Sequence, residues 1–301
     1  MASATMYDAL IIGAGPAGLS TALGLARQTY SAIVFNSNQY RNAFSEHMHN
    51  VVTWDHKPPS DFRAAARDNI ESRYNTIHFK NAKIVSAAKK DDGTFEAVDD
   101  QQNKYQGRKL VLATGVSDIL PDIKGFSELW GKRIFHCLFC HGFEDRGAES
   151  AGVLGAGFIT QPAMILHMAR MASPLAKKVT VYCHGNEELT AQVQKEFENK
   201  PLTIEPRKIT AVEKQGDSVI VQFDDGQTRQ EGFLVSISVV ANCLVSGRGL
   251  LTVEPLVGFC PPGPDQRPFS RPARPGYRSD GLYQDDPALQ RDKCSRCICC
   301  R

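Results

Sequence analysis

The alternation of apolar and polar positions predicts one short series of elements twice along the chain. In each copy an apolar strand leads through a glycine-rich turn into a helix, and a second apolar strand follows. The first copy comprises strand 6–12, turn 13–18, helix 19–29 and strand 32–35. The second comprises strand 152–154, a turn from residue 155, helix 162–172 and strand 179–182. Each copy continues into a hairpin pattern, 83–98 or 210–223, and a further apolar strand, 110–112 or 233–235.

This duplication indicates an α/β fold built from two mononucleotide-binding, Rossmann-like domains, each a parallel sheet flanked by helices. We expect the first domain over residues 1–120 and the second over residues 121–235. Residues 236–301 have few periodic apolar positions and are rich in proline, glycine and cysteine, a composition typical of disorder. That segment is therefore predicted to stand apart from both domains.

The first turn, Gly13-Ala14-Gly15-Pro16-Ala17-Gly18, has the spacing of a dinucleotide-binding fingerprint. Gly13 permits the tight turn, Gly15 lets the backbone approach a pyrophosphate, and Gly18 lets the helix pack closely on the strand. The helix N-terminus would face the phosphates. About 20 residues further on, where such folds place a ribose-binding acid, the chain has Asn36, which can still hydrogen-bond a ribose hydroxyl.

The second turn departs from this fingerprint. Gly155 and Gly157 are present, but Thr160 stands where glycine or alanine is expected. After the next strand a site for the extra phosphate of NADP would need arginine, whereas the chain has Glu187 and Glu188. Because these glutamates would repel the phosphate, the pattern favours a nucleotide fold that no longer binds nucleotide.

A close pair of cysteines, Cys137 and Cys140, lies between the two turns and is flanked by His136 and His141. Such a pair can serve in metal binding, in a disulfide or in redox exchange. A zinc site usually needs a second ligand pair, and none follows before residue 183, so we favour redox exchange and expect no metal. We expect Cys140 to open a helix whose dipole lowers a thiol pKa, and an adjacent imidazole, His136 or His141, to take the proton of an attacking thiol.

Composition narrows the partners further. The chain has 301 residues and a formal net charge of +2, so nothing indicates binding to nucleic acid or to an acidic membrane. No apolar run approaches the roughly 18 residues of a membrane helix, and the N-terminus lacks a signal-peptide pattern. We expect a cytoplasmic protein, and in that compartment a close cysteine pair is redox or metal-binding more often than structural.

Together these residues resemble the low-molecular-weight thioredoxin reductase class. The matching pieces are the turn 13–18, the segment Ala113-Thr114-Gly115 and the cysteine pair just inside the second domain. The closer likeness is to the fungal dithiol oxidases that close the disulfide of gliotoxin-type epidithiodiketopiperazines. It is carried by Tyr40-Arg41-Asn42, His47-Met48-His49-Asn50, Thr53-Trp54-Asp55-His56, Asp61-Phe62-Arg63 and the segment 137–142. The bacterial-type reductases have aspartate at the position of His141, and the resemblance therefore makes His141 the candidate acid/base.

The resemblance implies FAD as the cofactor and a homodimer as the assembly. It places the turn 13–18 on the pyrophosphate, Asn36 to Arg41 near the adenosine half, and His49 with Ala113, Thr114 and Gly115 along the flavin. Cys137 would be the outer thiol that meets a small-molecule dithiol, and Cys140 the inner thiol that faces the flavin. In these oxidases the electrons pass from FAD to oxygen, giving hydrogen peroxide, without a nicotinamide.

Two other functions stay open. An NADPH-dependent thioredoxin reductase fits the overall arrangement but is opposed by Glu187 and Glu188. A non-catalytic remnant without flavin is suggested by residues 236–301, because the family returns to its flavin domain with a Gly-Asp pair and none follows Val235.

Overall fold

The computed structural model describes residues 5–156, 160–245 and 251–255. The helices in these ranges are α1 Pro16–Arg27, α2 Pro59–Glu71, α3 Phe126–Leu129, α4 Pro162–Ala172 and α5 Glu187–Phe197. The strands up to the cysteine pair are β1 Met6–Ile12, β2 Ala32–Asn36, β3 Ile77–Asn81, β4 Ile84–Lys89, β5 Phe95–Asp99, β6 Lys104–Leu112, β7 Ser117–Ile119 and β8 Ile134–Phe135. The later strands are β9 Ala151–Leu154, β10 Val179–Tyr182, β11 Leu202–Glu205, β12 Ile209–Gln215, β13 Ser218–Phe223, β14 Thr228–Glu231, β15 Phe233–Val235, β16 Val239–Val245 and β17 Leu251–Pro255. None of the helices described here is both long and apolar enough to cross a membrane.

The first sheet has the strand order β3-β2-β1-β6-β5-β4. β1 pairs in parallel with β2 and β6, and β3 extends the parallel part, whereas β5 and β4 are added antiparallel. Ile11 of β1 packs among residues of α1 and α2, and its neighbour Leu10 packs on the other face against β4 and β5. The chain order reverses between β1 and β6, and at such a point the carboxyl ends of the strands leave a crevice for ligands.

Helix α1 carries the first glycine turn into the core. It begins at Pro16, whose fixed φ suits the first helical turn and whose missing N–H would lack an intrahelical partner there. Its buried residues Gly18, Leu19, Ala22 and Ala26 recur at helical spacing, so a single face of the helix packs on the sheet. The N-terminus of α1 is thereby fixed at the carboxyl end of β1.

The second sheet repeats this design. Its order is β11-β10-β9-β15-β8, and every neighbouring pair is parallel. Ile165, Met168 and Ala172 of α4 are buried in the cluster that covers this sheet, and β12, β13 and β14 form a separate antiparallel sheet. The two Rossmann-like units predicted from the sequence are therefore confirmed.

A third sheet joins segments from the two sides of the second unit. β7 precedes that unit and β16 follows it, and the two pair antiparallel, with β17 added beyond β16. The prediction of disorder from residue 236 is therefore wrong for β16 and β17, because their backbone groups are paired in this ladder. The same prediction for residues 246–250 and 256–301 lies outside the described residues. The domain boundaries near residues 120 and 235 stay a proposal.

Candidate active site

The cysteine pair lies in a tight turn that follows β8. The backbone N–H groups of Cys140 and His141 donate to the carbonyl of Cys137 at 3.2 and 3.1 Å. No helix opens at Cys140, so that prediction is wrong: the chain makes one turn and leaves at Gly142, whose φ of +141° lies outside helical geometry. Leu138 is buried, whereas 72% of the Phe139 side chain surface is exposed between the two cysteines.

The two cysteines are close enough to form a disulfide with little movement. Their Sγ atoms lie 2.6 Å apart, so a disulfide would require them to approach by only about 0.6 Å. The hydrogen bond from the Cys140 thiol lowers the pKa of Cys137 to about 6, against the effect of burial, and backbone N–H groups of Cys140 and Phe139 add to the lowering. The same hydrogen bond and burial raise the pKa of Cys140. Turn amides and the neighbouring thiol therefore stabilise the Cys137 thiolate, in place of the helix dipole that the spacing predicts.

His141 is held beside this turn by two contacts. Its Nε2 lies 2.9 Å from the hydroxyl of Ser45, and its ring stacks on Phe135 at a centroid distance of 5.1 Å. Burial lowers the pKa of His141 and the charge of His49 lowers it further, although Glu144 acts in the opposite direction. A neutral imidazole at neutral pH is able to accept a proton, as general-base work requires.

The second flanking imidazole, His136, differs in its surroundings. Its ring stacks on Trp130 at 5.8 Å. Burial, aided by the positive charge of Arg41, lowers the pKa of His136 to about 4. His136 therefore stays neutral over a wider pH range than an ordinary histidine.

Arg41 lies beside the cysteine turn, although the resemblance places it near the adenosine half of the cofactor. Its Nε and NH2 groups donate to both carboxylate oxygens of Asp118, at 3.0 and 2.8 Å, and Ser238 donates to the same carboxylate. Burial alone would raise the pKa of Asp118, but the hydrogen bonds of Arg41 and Ser238 reverse this and lower it. The charge of Arg41 also lowers the pKa of Cys137.

Two of the three glycines in the first turn are required by the backbone itself. Gly13 has a φ of +113°, and a Cβ there would lie 2.1 Å from the carbonyl oxygen of Ala113. A Cβ on Gly18 would lie 1.9 Å from the carbonyl oxygen of Gly13. A Cβ on Gly15, in contrast, would meet no atom within 4 Å. The open side of the turn is therefore at Gly15.

This open side suits an anionic group. The first turn of α1 contains no acidic residue, and no side chain caps its N-terminus. Helix N–H groups and the positive end of the helix dipole are thus left to face a pyrophosphate. The backbone of Ala113 bonds to Ile12 at 2.9 Å, which brings Ala113, Thr114 and Gly115 alongside the turn. These residues fit the FAD cradle that the sequence predicts.

Asn36 ends β2 but does not present a free amide to a ribose. Its Oδ1 accepts from Tyr40 Oη at 2.7 Å and from the Asn38 backbone N–H at 3.0 Å. Its Nδ2 donates to Asn38 Oδ1 at 2.8 Å and to Asn81 Oδ1 at 3.3 Å. Since an asparagine side chain offers two donor hydrogens and two acceptor lone pairs, its capacity is filled. The structure therefore gives Asn36 an organising position in the loop after β2.

His49 lies where the loop 45–57 meets the cysteine turn. Its Nδ1 is 3.5 Å from Asp55 Oδ1 and its Nε2 is 3.4 Å from Glu144 Oε1. In the same loop Asn50 donates through Nδ2 to the carbonyl of Phe139 at 2.6 Å. The family resemblance singles out these loop segments in the sequence. Only the fold shows that His49 contacts Glu144 and that Asn50 contacts Phe139, each about 90 positions later.

The two glutamates that follow the strand after the second glycine turn have a structural role. Glu187 and Glu188 form the first turn of α5, which Asn186 caps by accepting from the backbone N–H of Leu189 at 2.9 Å. Carboxylates at this end of a helix are favourable. A basic residue also reaches this end of β10, because Lys208 packs beside Gly185. Of the predicted turn residues, Gly157 lies outside the described residues.

Comparison with known proteins gives consistent similarities. The sequence model of a family described as pyridine nucleotide-disulphide oxidoreductase matches residues 7–253. Thioredoxin reductase aclD of Aspergillus oryzae is 50% identical over 236 residues, which are 77% of this chain and 75% of that protein. Thioredoxin reductase tcpT of Claviceps purpurea is 46% identical over 238 residues, 78% and 74% of the two chains. The solved structure of an oxidoreductase from Agrobacterium tumefaciens has a TM-score of 0.70 at 30% identity and covers 78% of this chain and 76% of its own.

Proposed function

This chain belongs to the pyridine nucleotide-disulphide oxidoreductase family and is an oxidoreductase, and we propose that it is an FAD-dependent dithiol oxidase. Its substrate would be a small-molecule dithiol of the epidithiodiketopiperazine type, which it converts to a disulfide. FAD is the cofactor of the family; when bound, it accepts an electron pair from the reduced cysteines and passes it to oxygen. The resemblance to thioredoxin reductases that the motifs predict is confirmed by the fungal relatives.

The asymmetry of the cysteine pair is the observation that carries this proposal. We infer that a substrate thiolate attacks Cys137 Sγ of the oxidised pair, which breaks the bond between the two cysteines, forms a mixed disulfide and releases Cys140 as a thiolate that takes up the proton removed from the substrate. The second substrate thiol, once deprotonated, attacks the substrate sulfur of the mixed disulfide and expels Cys137 as a thiolate. A low-pKa thiol leaves fastest in such exchanges, and the pKa of Cys137 is lowered to about 6. The substrate leaves as a disulfide, and both cysteines are reduced.

Proton transfer falls to His141 in this proposal. Each substrate thiol must lose a proton before it attacks, and a neutral imidazole beside the turn can accept one. Ser45, 2.9 Å from His141 Nε2, fixes the orientation of the ring. The turn 13–18 would bind the pyrophosphate of FAD, and the segment 113–115 would line the flavin.

Oxygen consumption tests the proposal. The flavin-loaded full chain is mixed with dithiothreitol in the absence of any nicotinamide, and oxygen uptake and hydrogen peroxide are recorded. We expect one peroxide per dithiol oxidised, and none with the Cys140→Ser protein. Absence of oxygen uptake by flavin-loaded wild-type protein would contradict the oxidase.

One contact favours a second candidate, the NADPH-dependent thioredoxin reductase. The stem of Lys208 packs beside Gly185 at the end of β10, and its positive charge acts on His184, in the region where a site for the phosphate of NADPH is expected. Anaerobic addition of NADPH separates the two functions, because only a reductase would lose its yellow flavin colour rapidly. If the protein is a reductase, Lys208→Glu should bleach much more slowly than the wild type. A folded but colourless protein that takes up no added FAD would instead indicate a remnant without catalysis.

A further inference from the structure

Two imidazoles and one carboxylate converge beside the cysteine turn. Ligand atoms of His49, His56 and Glu144 all lie within 4.8 Å of one another. The two histidines belong to the loop 45–57, and Glu144 follows the cysteine turn, so the group joins two segments far apart in sequence. His56 and Glu144 are exposed, so an ion could enter directly from solvent.

The spacing of these atoms suits a transition-metal ion. His49 Nε2 and Glu144 Oε1 are 3.4 Å apart. Two ligands bound at about 2.0–2.1 Å in tetrahedral geometry lie roughly 3.4 Å apart. Imidazole nitrogen with one carboxylate is a donor set for zinc and its neighbours, whereas magnesium and calcium require mainly oxygen.

Neighbouring groups orient both imidazoles. Asp55 Oδ1 faces His49 Nδ1 at 3.5 Å, the arrangement in which a carboxylate fixes the ring tautomer and leaves Nε2 for the metal. The ring of His47 stacks on His56 at 4.2 Å with an angle of 5° between the planes. The two imidazoles are thus oriented by residues that would not touch the ion.

We propose that His49, His56 and Glu144 bind a divalent first-row transition ion, best matched by zinc, which clamps the loop 45–57 to the segment after the cysteine turn. The fourth position faces solvent and would hold water. This assignment adds a metal site where the sequence predicts none. The clamp would act with the Asn50–Phe139 and Ser45–His141 hydrogen bonds, which join the same two segments.

Zinc titration of the full chain tests the site without reference to oxidase activity. Cys137 and Cys140 are replaced by serine in every protein used, because thiolates also bind zinc. We expect the serine-substituted protein to bind one equivalent of Zn²⁺. This binding should be lost in His56→Asn and in Glu144→Gln, and should remain in the control His167→Asn, because the exposed His167 lies on α4. Asp55→Asn should weaken binding by about 10–100-fold, as loss of a group that orients a ligand does.

A second measurement identifies the ligand atoms before either histidine is replaced. Electron paramagnetic resonance of one equivalent of Cu²⁺ on the serine-substituted protein should show coupling to two nitrogen nuclei, and to only one in His56→Asn. The proposal is overturned if zinc binding is the same in His56→Asn, Glu144→Gln and His167→Asn, because the ion would then be held elsewhere in the chain. It is overturned equally if no zinc binds at micromolar concentration, in which case His49 simply lies between the carboxylates of Asp55 and Glu144.

Discussion

Cys137 is the residue on which the proposed chemistry depends. Two backbone N–H groups and the Cys140 thiol surround its sulfur, and Arg41 adds a positive charge nearby. All four effects favour the thiolate, and together they outweigh the cost of burial. The cysteine that we propose meets substrate is therefore the one whose negative charge is better stabilised.

This asymmetry predicts a pH dependence. An ordinary thiol has a pKa near 9, and that of Cys137 is lowered to about 6. Because only the thiolate is alkylated, the rate at which iodoacetamide modifies Cys137 in the reduced protein should rise through about pH 6 and level off above it. Peptide mass spectrometry measures this rate for Cys137 alone. In Cys140→Ala the midpoint should move upward because the thiol donor is gone, whereas a midpoint near 9 in the wild type would refute the assignment.

Replacement of each cysteine should give different spectra. In Cys140→Ser no thiol remains to reduce the flavin, so we expect turnover with dithiothreitol to vanish. In Cys137→Ser, Cys140 loses the neighbour that raises its pKa but stays half-buried. We therefore expect a long-wavelength thiolate–flavin band that grows as the pH rises and is weak at neutral pH. Equal and nearly full activity in both variants would rule out the dithiol mechanism.

The role of His141 is tested together with its partner Ser45. His141→Ala should lower turnover by roughly 10²–10⁴-fold, the usual range for a positioned acid/base, with flavin content unchanged. Ser45→Ala should have a smaller effect, because it removes the orientation of the ring and leaves the base. His136→Ala is the matched control, and a larger loss there than in His141→Ala would show that the wrong imidazole was chosen. Loss of flavin with normal turnover per bound flavin would indicate a packing role.

The glycine turn is the element whose backbone geometry is most restrictive. Gly13 and Gly18 face carbonyl oxygens at distances that no Cβ could occupy, whereas Gly15 faces open space. Main-chain packing therefore requires two of the three glycines, Gly13 against Ala113 and Gly18 against Gly13. Gly15 is the position at which we propose that a ligand approaches.

Alanine at each glycine should separate folding from cofactor binding. Gly13→Ala and Gly18→Ala should each lower the free energy of unfolding by about 1–3 kcal/mol or more, because of a positive φ or a steric clash. Gly15→Ala should change the unfolding free energy of the flavin-free protein by no more than about 0.5 kcal/mol and still weaken FAD binding. Thermal unfolding and flavin absorbance measure the two effects. Equal destabilisation by all three substitutions would contradict the distinction.

Helices and strands were predictable from the sequence where the apolar periodicity is strong. They were less predictable where the conformation of a single turn decides whether a helix begins. The predicted helix 162–172 and strand 179–182 match α4 and β10, since apolar spacing fixes both. The first predicted helix began at residue 19, three positions after the true start at Pro16, because the fingerprint glycines hide a helical turn. At Cys140 the redox motif predicts a helix. The structure has only one turn there, which ends at Gly142 because its φ is positive.

Across the whole molecule, the candidate site is assembled from segments far apart in sequence. Ser45 and His141 are separated by 96 positions, and Arg41 and Asp118 by 77. The sequence named Cys137, Cys140 and His141 because their spacing is local. It could not name Ser45 or Glu144 as partners, because only the packing of the loop 45–57 against the cysteine turn brings them there. Nor could it name Asp118, because the fold alone brings β7 to Arg41 and Ser238.

The ion pair of Arg41 and Asp118 links these distant segments. Asp118 is almost fully buried, whereas Arg41 is about one third exposed, so we expect Arg41→Gln to cost only about 1–2 kcal/mol of stability. The double variant Arg41→Gln/Asp118→Asn should recover most of it, because no unpaired carboxylate then remains. Denaturant unfolding measures both values. No recovery in the double variant would mean that Arg41 acts through its packing alone.

The same pair predicts how stability depends on pH. The pKa of Asp118 is lower in the folded protein than its ordinary value of 3.8. Its contribution is therefore fully present above about pH 4 and is lost as the pH falls through the lowered folded value. The wild type and Arg41→Gln should differ most in unfolding free energy above pH 5 and converge in stronger acid. A difference that grows as the pH falls would contradict this linkage.

The division of labour within the glycine turn has an evolutionary consequence. Selection for folding alone is enough to keep Gly13 and Gly18, since any side chain there meets the main chain. A Cβ at Gly15 meets no atom within 4 Å, so only selection for the proposed bound dinucleotide would keep that position free of a side chain. A descendant that gave up its flavin would first accumulate substitutions at Gly15 with its architecture intact, so the identity of that one residue separates an inherited scaffold from a working flavoprotein.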